Sequence, residues 1–283
     1  MPPSWHFDTS TFWVLAAIAL AEGLRRVPAG GVLLRRVPGY PWQVGAGPYR
    51  ASAWRLTSAF SPLALHVLLQ RADAAPRPMP GRGAIRLWIA LLRVPSLLAL
   101  IALVVGVPLL TASMATRGLI LAVAAALGTS LLTAILAMLA LVRMGIGWKT
   151  AAGDALRIVS PFTSPRAPEI VLERVLAGVP VIDAARALLP PGAFAAWIRP
   201  LAYDAVMRGA DDGLVPRGEA ERIIRQPPAD AAPGDAWCPR CAGVYQPGVE
   251  ACRGCGDVPL ERAMPSTVPV ATLPEPAGAA GVR

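Results

Sequence analysis

The chain has 283 residues, of which 54% are apolar and 16% charged, and its mean hydropathy is +0.49. This composition excludes an intrinsically disordered chain and argues against a purely soluble enzyme, because soluble domains carry about 25% charged residues. The net charge of +9 comes from residues 1–142, which hold 12 basic and three acidic side chains. Because these arginines flank apolar segments, we interpret them as topology signals rather than as a nucleic-acid surface.

The first apolar segment, 9–24, predicts a transmembrane helix that follows a short external N-terminus, 1–8. Its 16 residues are barely enough to cross a bilayer, and Glu22 lies near its end. A cleaved signal peptide is the alternative, but residues 1–11 contain no Lys or Arg to form its basic amino-terminal part. We therefore expect a retained helix.

The next region, 25–93, is called the Arg-rich loop here because it holds eleven arginines and a single acidic residue, Asp73. Arginine clusters of this kind belong on the cytoplasmic side of a membrane. Gly and Pro break the first half into turns. In the rest we expect an interfacial helix or a re-entrant element in the apolar stretch Trp54–Leu68, and an amphipathic helix that leads into the next apolar segment at 85–92.

Two longer apolar segments follow, at 94–114 and 119–142, and neither contains a charged residue. Each is long enough to cross a hydrocarbon layer of about 30 Å, so we predict two transmembrane helices. The external turn 115–118 joins them into an antiparallel hairpin. With the first segment, three spans leave the N-terminus outside the inner (plasma) membrane and the C-terminus in the cytoplasm.

Small and hydroxyl-bearing residues indicate how the two hairpin helices meet. Gly106, Ala124 and Gly128 would let the two backbones approach each other closely. Ser130 and Thr133 have two options, a hydrogen bond to the neighbouring helix or one to the backbone of their own helix. We favour the second option, because it is the commoner arrangement for hydroxyls inside a helix.

The cytoplasmic helical region, 143–225, returns to ordinary polarity. Proline starts and glycine stops predict short helices at 168–177, 180–189 and 219–225. An apolar stripe between the second and third of these predicts another helix, which Pro200 should bend or split. The sequence shows no β-alternation and no internal repeat.

All four cysteines lie within eighteen residues, in the pairs Cys238-Pro-Arg-Cys241 and Cys252-Arg-Gly-Cys255. Two C-x-x-C pairs can place four thiolates tetrahedrally around one Zn²⁺. Two disulfides and an iron site are the alternatives. A closed shell of four thiolates leaves no open coordination position, so we expect a structural metal rather than a hydrolytic one.

Residues 237–260 resemble the short zinc-ribbon modules of bacterial proteins, which read C-P-x-C-G, an aromatic residue, Gly, C-x-x-C-G and Leu. The aromatic, the two later glycines and the leucine correspond to Tyr245, Gly248, Gly256 and Leu260. The departure is Ala242, which stands where the modules have their first glycine. The resemblance implies four cysteine ligands, a structural Zn²⁺ and a surface that docks a protein.

Around this module we expect a Pro/Ala linker, 226–236, and a disordered tail, 261–283. The whole chain is thus predicted to be a mainly α, polytopic membrane protein with about three transmembrane helices, a small cytoplasmic helical region and a C-terminal zinc ribbon. No catalytic motif such as H-E-x-x-H, G-x-S-x-G or a P-loop is present.

The predicted function is a structural or adaptor role in the membrane, with the lipid bilayer and a protein bound by the ribbon as partners. One alternative is a membrane enzyme or transporter component that works as a homo-oligomer assembled through the small-residue helix faces. Another is nucleic-acid binding through the ribbon and the Arg-rich loop, which predicts a steep dependence on salt.

Overall fold

The computed structural model describes residues 8–47, 51–56, 64–70, 77–111, 116–209, 214–228 and 231–262. The chain is mainly helical and divides into two compact units, with the division between Trp197 and Ile198. The expectations for most of the N-terminus, for part of the hairpin turn and for most of the tail lie outside the described residues.

The first helix, α1 (Thr9–Glu22), is shorter than the predicted first span. It begins at Asp8, whose carboxylate accepts hydrogen bonds from the backbone N–H groups of Ser10 and Thr11 at 3.0 and 3.2 Å. Its 14 residues rise about 21 Å, less than the hydrocarbon layer of about 30 Å. None of its side chains is buried.

The described residues of the Arg-rich loop form five strands, and this corrects the prediction of an interfacial helix at both ends of Trp54–Leu68, whose middle part, 57–63, lies outside the described residues. The strands are β1 (Leu24–Val27), β2 (Val32–Arg36), β3 (Gln43–Ala46), β4 (Ala53–Leu56) and β5 (Leu65–Leu69). β1 pairs with β4, and β2 lies between β3 and β5, with every pairing antiparallel.

The prediction of a helix failed at β5 because every residue of Leu65–Leu69 is buried. A short strand that is covered on both faces shows no alternation of apolar and polar residues. Its sequence pattern is therefore the same as that of a buried helical turn. The pairing with β2, more than thirty residues earlier, decides the conformation.

The next helix is longer than the predicted second span and also contains the predicted lead-in at 85–92. It comprises α2 (Arg82–Ile101), a π-helical turn (Ala102–Gly106) and α3 (Val107–Thr111), which follow one another without a break. Pro95 lies in the interior of α2. The π-helical turn comes just before Pro108, whose missing N–H and bulky ring interrupt the regular hydrogen-bond pattern.

The predicted third span is confirmed as a helix, α4 (Thr116–Arg143). Two helical segments, Arg82–Leu109 and Gly118–Arg143, are long and apolar enough to cross a membrane. α2 and α4 pack against each other, as the predicted hairpin requires.

The small residues of α4 are buried on a different face from the predicted one. Ala122 and Ala126 are buried, whereas Ala124 and Gly128 are exposed. Gly106 lies where it was expected, since a Cβ atom placed there would be 3.8 Å from the Cβ of Ala122. Because α4 carries small residues on several faces, composition alone does not decide which face meets the neighbouring helix.

The hydroxyl groups of α4 bond to their own helix, which confirms the favoured interpretation. Ser130 donates to the carbonyl oxygen of Ala126, and Thr133 donates to that of Thr129, both at 2.7 Å. Both side chains are fully buried, so these bonds satisfy groups that water does not reach.

The helices predicted within residues 143–225 are present. They are α6 (Ala167–Leu176), α7 (Val181–Leu188), α8 (Pro191–Arg208) and α9 (Arg217–Arg225), and they are preceded by a helix that was not predicted, α5 (Trp148–Ile158). Pro200 does not split α8, which corrects one of the two expected outcomes. Side chains of α4, α5 and α6 share one apolar core that includes Leu141, Ile158 and Val171.

The cysteine-rich segment is built from very short strands. They are β6 (Ala236–Trp237), β7 (Val244–Tyr245), β8 (Ala251–Cys252), β9 (Val258–Pro259) and β10 (Glu261–Arg262). β6 lies between β7 and β10, and β8 pairs with β9. The segment therefore extends to Arg262, two residues into the part that was predicted as a disordered tail.

Candidate metal centre

The first cysteine pair lies in a tight turn that follows β6. The N–H of Ala242 donates to the carbonyl of Cys238, and the N–H of Cys238 donates to the carbonyl of Gly243, both at 2.9 Å. This turn places Ala242 at φ +62°, a left-handed conformation that costs a residue with a Cβ atom roughly 1–2 kcal/mol. The substitution of glycine by alanine in the ribbon pattern thus falls at a strained position.

The second cysteine pair is also followed by a left-handed residue, here glycine, but its turn is closed one residue later than the first. Gly256 directly follows Cys255, as Ala242 follows Cys241, and its φ is +75°. The N–H of Asp257 donates to the carbonyl of Cys252 at 3.1 Å and closes the turn. Here glycine adopts the left-handed conformation without a steric cost.

The two turns bring all four predicted ligands together. The sulfur atoms of Cys238, Cys241, Cys252 and Cys255 lie within 4.8 Å of one another, and all four cysteines are free thiols. The Cys241 and Cys252 sulfurs are 3.8 Å apart. A tetrahedral ion with metal–sulfur bonds of about 2.3 Å has sulfur–sulfur edges of about 3.8 Å, so the four cysteines can coordinate a metal ion.

The environment of the sulfurs is uneven. Burial raises the pKa of the Cys238 thiol, and burial together with bonds to neighbouring thiols raises that of Cys255 to about 12. For Cys252, burial is outweighed by hydrogen bonds from Tyr245 and the other thiols, which lower its pKa to about 7. Without a cation, the Cys252 thiolate therefore forms more readily than those of Cys238 and Cys255.

Tyr245 supports that thiolate directly. Its hydroxyl oxygen is 2.9 Å from the Cys252 sulfur, and this bond raises the pKa of Tyr245 to about 12. A neutral phenol that donates to a metal-bound thiolate is a common form of support for a metal ligand. The sequence pattern includes this aromatic residue, although the pattern alone does not indicate its hydrogen bond.

Two arginines that the sequence analysis did not identify lie beside the cysteines. The Arg199 guanidinium is 5.1 Å from the centre of the Trp237 ring, and its side chain is largely buried. Burial lowers the pKa of Arg199, while the negative charges of Cys238 and Glu261 oppose that shift. A buried cation at this place balances part of the charge of the thiolates.

The second arginine ties the cysteine turns to α8. Arg240 donates from Nη1 to the carbonyl of Cys255 at 3.3 Å, and its Nη2 lies 3.5 Å from the Asp204 carboxylate. Tyr203 packs against the small core formed by the cysteines and Val258. The cysteine segment thus rests on the second half of α8, a contact that no local pattern in the sequence could indicate.

A second polar cluster, in the first unit, was also missed. The guanidinium of Arg25 forms two hydrogen bonds of 2.5 Å to the carboxylate of Glu173 on α6. Burial alone would lower the pKa of Arg25, but these bonds and the neighbouring charge of Glu169 outweigh burial and raise it. The sequence analysis treated Arg25 only as a topology signal.

The carboxylates of this cluster protect the free edge of β5. Glu169 and Glu173 are one helical turn apart, and they accept the backbone N–H groups of His66 and Leu68, each at 2.8 Å. Strand residues two apart and helix residues four apart are separated by similar distances, so the spacing of the two glutamates on α6 matches that of the two N–H groups on β5. These hydrogen bonds satisfy backbone groups at the edge of the sheet, so the cluster stabilises that edge.

No protein family, no curated protein and no solved structure matches this chain. The function is therefore argued from the geometry described above.

Proposed function

We propose that the chain is an integral protein of the inner (plasma) membrane with a structural or adaptor role, and that its cysteine segment is a cytoplasmic zinc ribbon that binds a protein partner. The observation that carries the proposal is the presence in one chain of long exposed apolar helix faces and a closed four-thiol site. Helices of the first kind need lipid, and a site of the second kind holds a metal without leaving a position for a substrate.

The apolar face of α2 supports membrane insertion. Five large apolar side chains recur every three or four residues and are 43–62% exposed: Leu87, Leu91, Val94, Leu98 and Ile101. A similar row on α4 includes Ile120, Leu127, Leu131, Ile135 and Leu139. Water-soluble proteins rarely leave such continuous apolar surface uncovered, whereas lipid chains would cover it.

The position of α1 supports a third span with the N-terminus outside. At its start, the N–H of Asp8 donates to the carbonyl of Pro108, near the hairpin turn. At its end, the carbonyl of Glu22 accepts a hydrogen bond from Arg166 at 2.7 Å, beside the cytoplasmic helices. α1 packs against the π-helical turn and α3, which belong to the apolar segment of the hairpin.

The donor set supports zinc. Four cysteine sulfurs at tetrahedral spacing suit Zn²⁺, and a reducing cytoplasm keeps them available as ligands. Because the ion would have no open position, its role would be to hold the two turns together. The surface of the folded ribbon would then serve as the docking site for a partner.

Reporter fusions test the topology. Green fluorescent protein and alkaline phosphatase are fused separately after residue 283, and both are also inserted at the hairpin turn. We expect fluorescence only from the C-terminal fusion and phosphatase activity only from the turn. Phosphatase activity at the C-terminus would overturn the proposed orientation, and release of the chain by alkaline carbonate would overturn membrane insertion.

Metal-dependent capture tests the adaptor role. The full chain is crosslinked in native membranes before and after chelation, alongside the variant Cys241→Ser and the control Gln246→Ala, an exposed change that keeps all four thiols. We expect one Zn²⁺ per chain and a crosslinked partner that is lost on chelation and in Cys241→Ser, but kept in the control. Identical crosslinking with and without metal would contradict the proposal.

A further inference from the structure

A basic cleft lies at the membrane-proximal end of α2, away from the cysteines in sequence. It has a volume of about 300 Å³ and opens between the β2–β3 connection, the first turns of α2 and the segment that follows α7. Its cationic lining residues are Arg36, Arg82, Arg86 and Arg186. No Asp or Glu is among the described residues that line it.

Aromatic rings hold two of these guanidinium groups in place. The Arg36 guanidinium is 5.8 Å from the ring centre of the buried Trp42, and that of Arg186 is 5.3 Å from the ring of Phe194. Such stacking orients an arginine, and Arg186 is held further by an ion pair between its Nη1 and the Asp183 carboxylate at 3.2 Å. The cleft is therefore organised before any ligand binds.

The other two arginines come from a single helix face. Arg82 and Arg86 are four residues apart near the start of α2, so they lie one turn apart on the same side. Like charges at this spacing repel each other, and no carboxylate in the described lining of the cleft offsets them. An anion with several oxygen acceptors would relieve this repulsion by accepting from more than one guanidinium at once.

The position of the cleft along the membrane normal indicates the source of such an anion. The exposed apolar row of α2 begins at Leu87, directly after Arg86, and continues through Leu91 and Val94. In the proposed membrane orientation, residues 85–92 are the interfacial lead-in to the span that starts at residue 94, so Arg82 and Arg86 would lie on the cytoplasmic side, close to the lipid headgroups. This is the level at which phospholipids carry their phosphate groups.

We propose that this cleft binds the phosphate group of an anionic phospholipid in the inner leaflet of the membrane. The inference rests on the proposed membrane insertion. Arginine is suited to this ligand because its planar fork donates two parallel hydrogen bonds to phosphate oxygens. A free phosphate compound offers the same chemistry, so the experiment below separates the two sources.

The test uses the full chain in nanodiscs of phosphatidylcholine, with and without about one third phosphatidylglycerol. Native mass spectrometry counts the phosphatidylglycerol molecules that stay bound after release from the disc. The variant is Arg36→Gln with Arg86→Gln. The matched control is Arg143→Gln with Lys149→Gln, two exposed cations outside the cleft, one at the end of α4 and one in the first turn of α5.

We expect one tightly retained phosphatidylglycerol per chain, with affinity reduced roughly tenfold in the cleft variant and little changed in the control. An equal loss in both variants would show general surface attraction and overturn the proposal. Circular dichroism of each variant in the disc confirms that the helices remain folded, and Arg36→Lys with Arg86→Lys, which keeps the charge, should restore part of the retention.

A titration of the same nanodiscs, without phosphatidylglycerol, with glycerol 3-phosphate separates the sources. We expect no saturation at millimolar concentrations, and binding as tight as that of the lipid would overturn a lipid ligand. A chain that inserts in the disc but shows no preference for phosphatidylglycerol contradicts this inference alone. A chain that does not insert contradicts the proposed function.

Discussion

The two units of the chain bury different kinds of side chain. In the first unit, the core is made of Leu, Ile, Val and many Ala residues from packed helices, with one buried ion cluster at the edge of a sheet. In the second unit, the core of the cysteine segment contains two cysteines and Val258, with Tyr203 and Tyr245 beside them. The first unit can be stabilised by apolar burial, whereas the cysteine segment of the second unit, residues 236–262, buries few large apolar side chains, chiefly Trp237 and Val258.

Two parts of this chain are therefore stabilised in different ways, the first unit by apolar burial and the cysteine segment by a bound metal ion. A segment of this size without an apolar core folds only if a ligand supplies the missing free energy. The buried Arg199 adds a cost, because its charge needs the negative thiolates nearby. Metal removal should therefore affect the second unit and leave the first unchanged.

Metal removal is expected to have the largest effect. Zinc binding to four thiolates contributes roughly 10–16 kcal/mol of apparent free energy in small modules, so chelation should unfold the cysteine segment. Hydrogen exchange measured by mass spectrometry should accelerate at residues 236–262 and remain slow in α4. Addition of Zn²⁺ should restore the slow exchange. Unchanged exchange in a chain shown to be metal-free would refute the comparison.

The buried ion pair of the first unit should give the next largest effect. Glu173→Gln keeps an acceptor for the N–H of Leu68 but leaves the buried Arg25 without its closest negative partner. We expect a loss of about 3 kcal/mol in the free energy of unfolding, because an uncompensated buried charge is costly. Breaking a buried pair costs about 3–5 kcal/mol, and the remaining carboxylate of Glu169, 4.0 Å from Arg25, keeps the loss near the lower value.

The matched control is an exposed pair in the second unit. Arg217 and Glu221 are 3.2 Å apart, but their side chains are 53% and 37% exposed. Glu221→Gln should cost less than about 1 kcal/mol, because water and salt screen such pairs. Denaturant unfolding in detergent measures the free energy of unfolding of both variants. Hydrogen exchange at the backbone N–H groups of β5 then shows whether the loss in Glu173→Gln falls on the sheet. Equal losses would show that the ion cluster does not stabilise the sheet.

Local patterns were sufficient for the cysteine site and for the long helices. All four candidate ligands lie within eighteen residues, so their spacing alone predicted the cluster at Cys238–Cys255 that the structure shows. The continuous apolar run at 119–142 likewise predicted α4. In both cases the residues that determine the structure are neighbours in the sequence.

Longer-range contacts determine what the sequence analysis missed. Arg25 and Glu173 are 148 residues apart, and neither position has a local feature that indicates the other. β5 likewise depends on β2 and on two glutamates of α6. A pattern search that examines one segment at a time cannot find a strand whose polar partners come from a distant helix.

The smallest predicted effect compares the two cysteine turns with each other. Ala242 and Gly256 each directly follow the second cysteine of a pair, at φ +62° and +75°, but only glycine adopts this conformation without strain. Ala242→Gly should stabilise the metal-bound segment by about 1 kcal/mol, and Gly256→Ala should destabilise it by a similar amount. In a competition with a chelator, each change should shift the midpoint about fivefold, in opposite directions.

Gly254→Ala is the control for this pair, because Gly254 does not have a positive φ and a Cβ there would meet only the Cys252 sulfur at 4.0 Å. Its midpoint should stay close to that of the unmodified chain. If Ala242→Gly gave no gain while Gly256→Ala still caused a loss, the strain at the first turn would be relieved in the metal-bound form. The two positions would then differ in strain, and the equivalence drawn between them would be wrong.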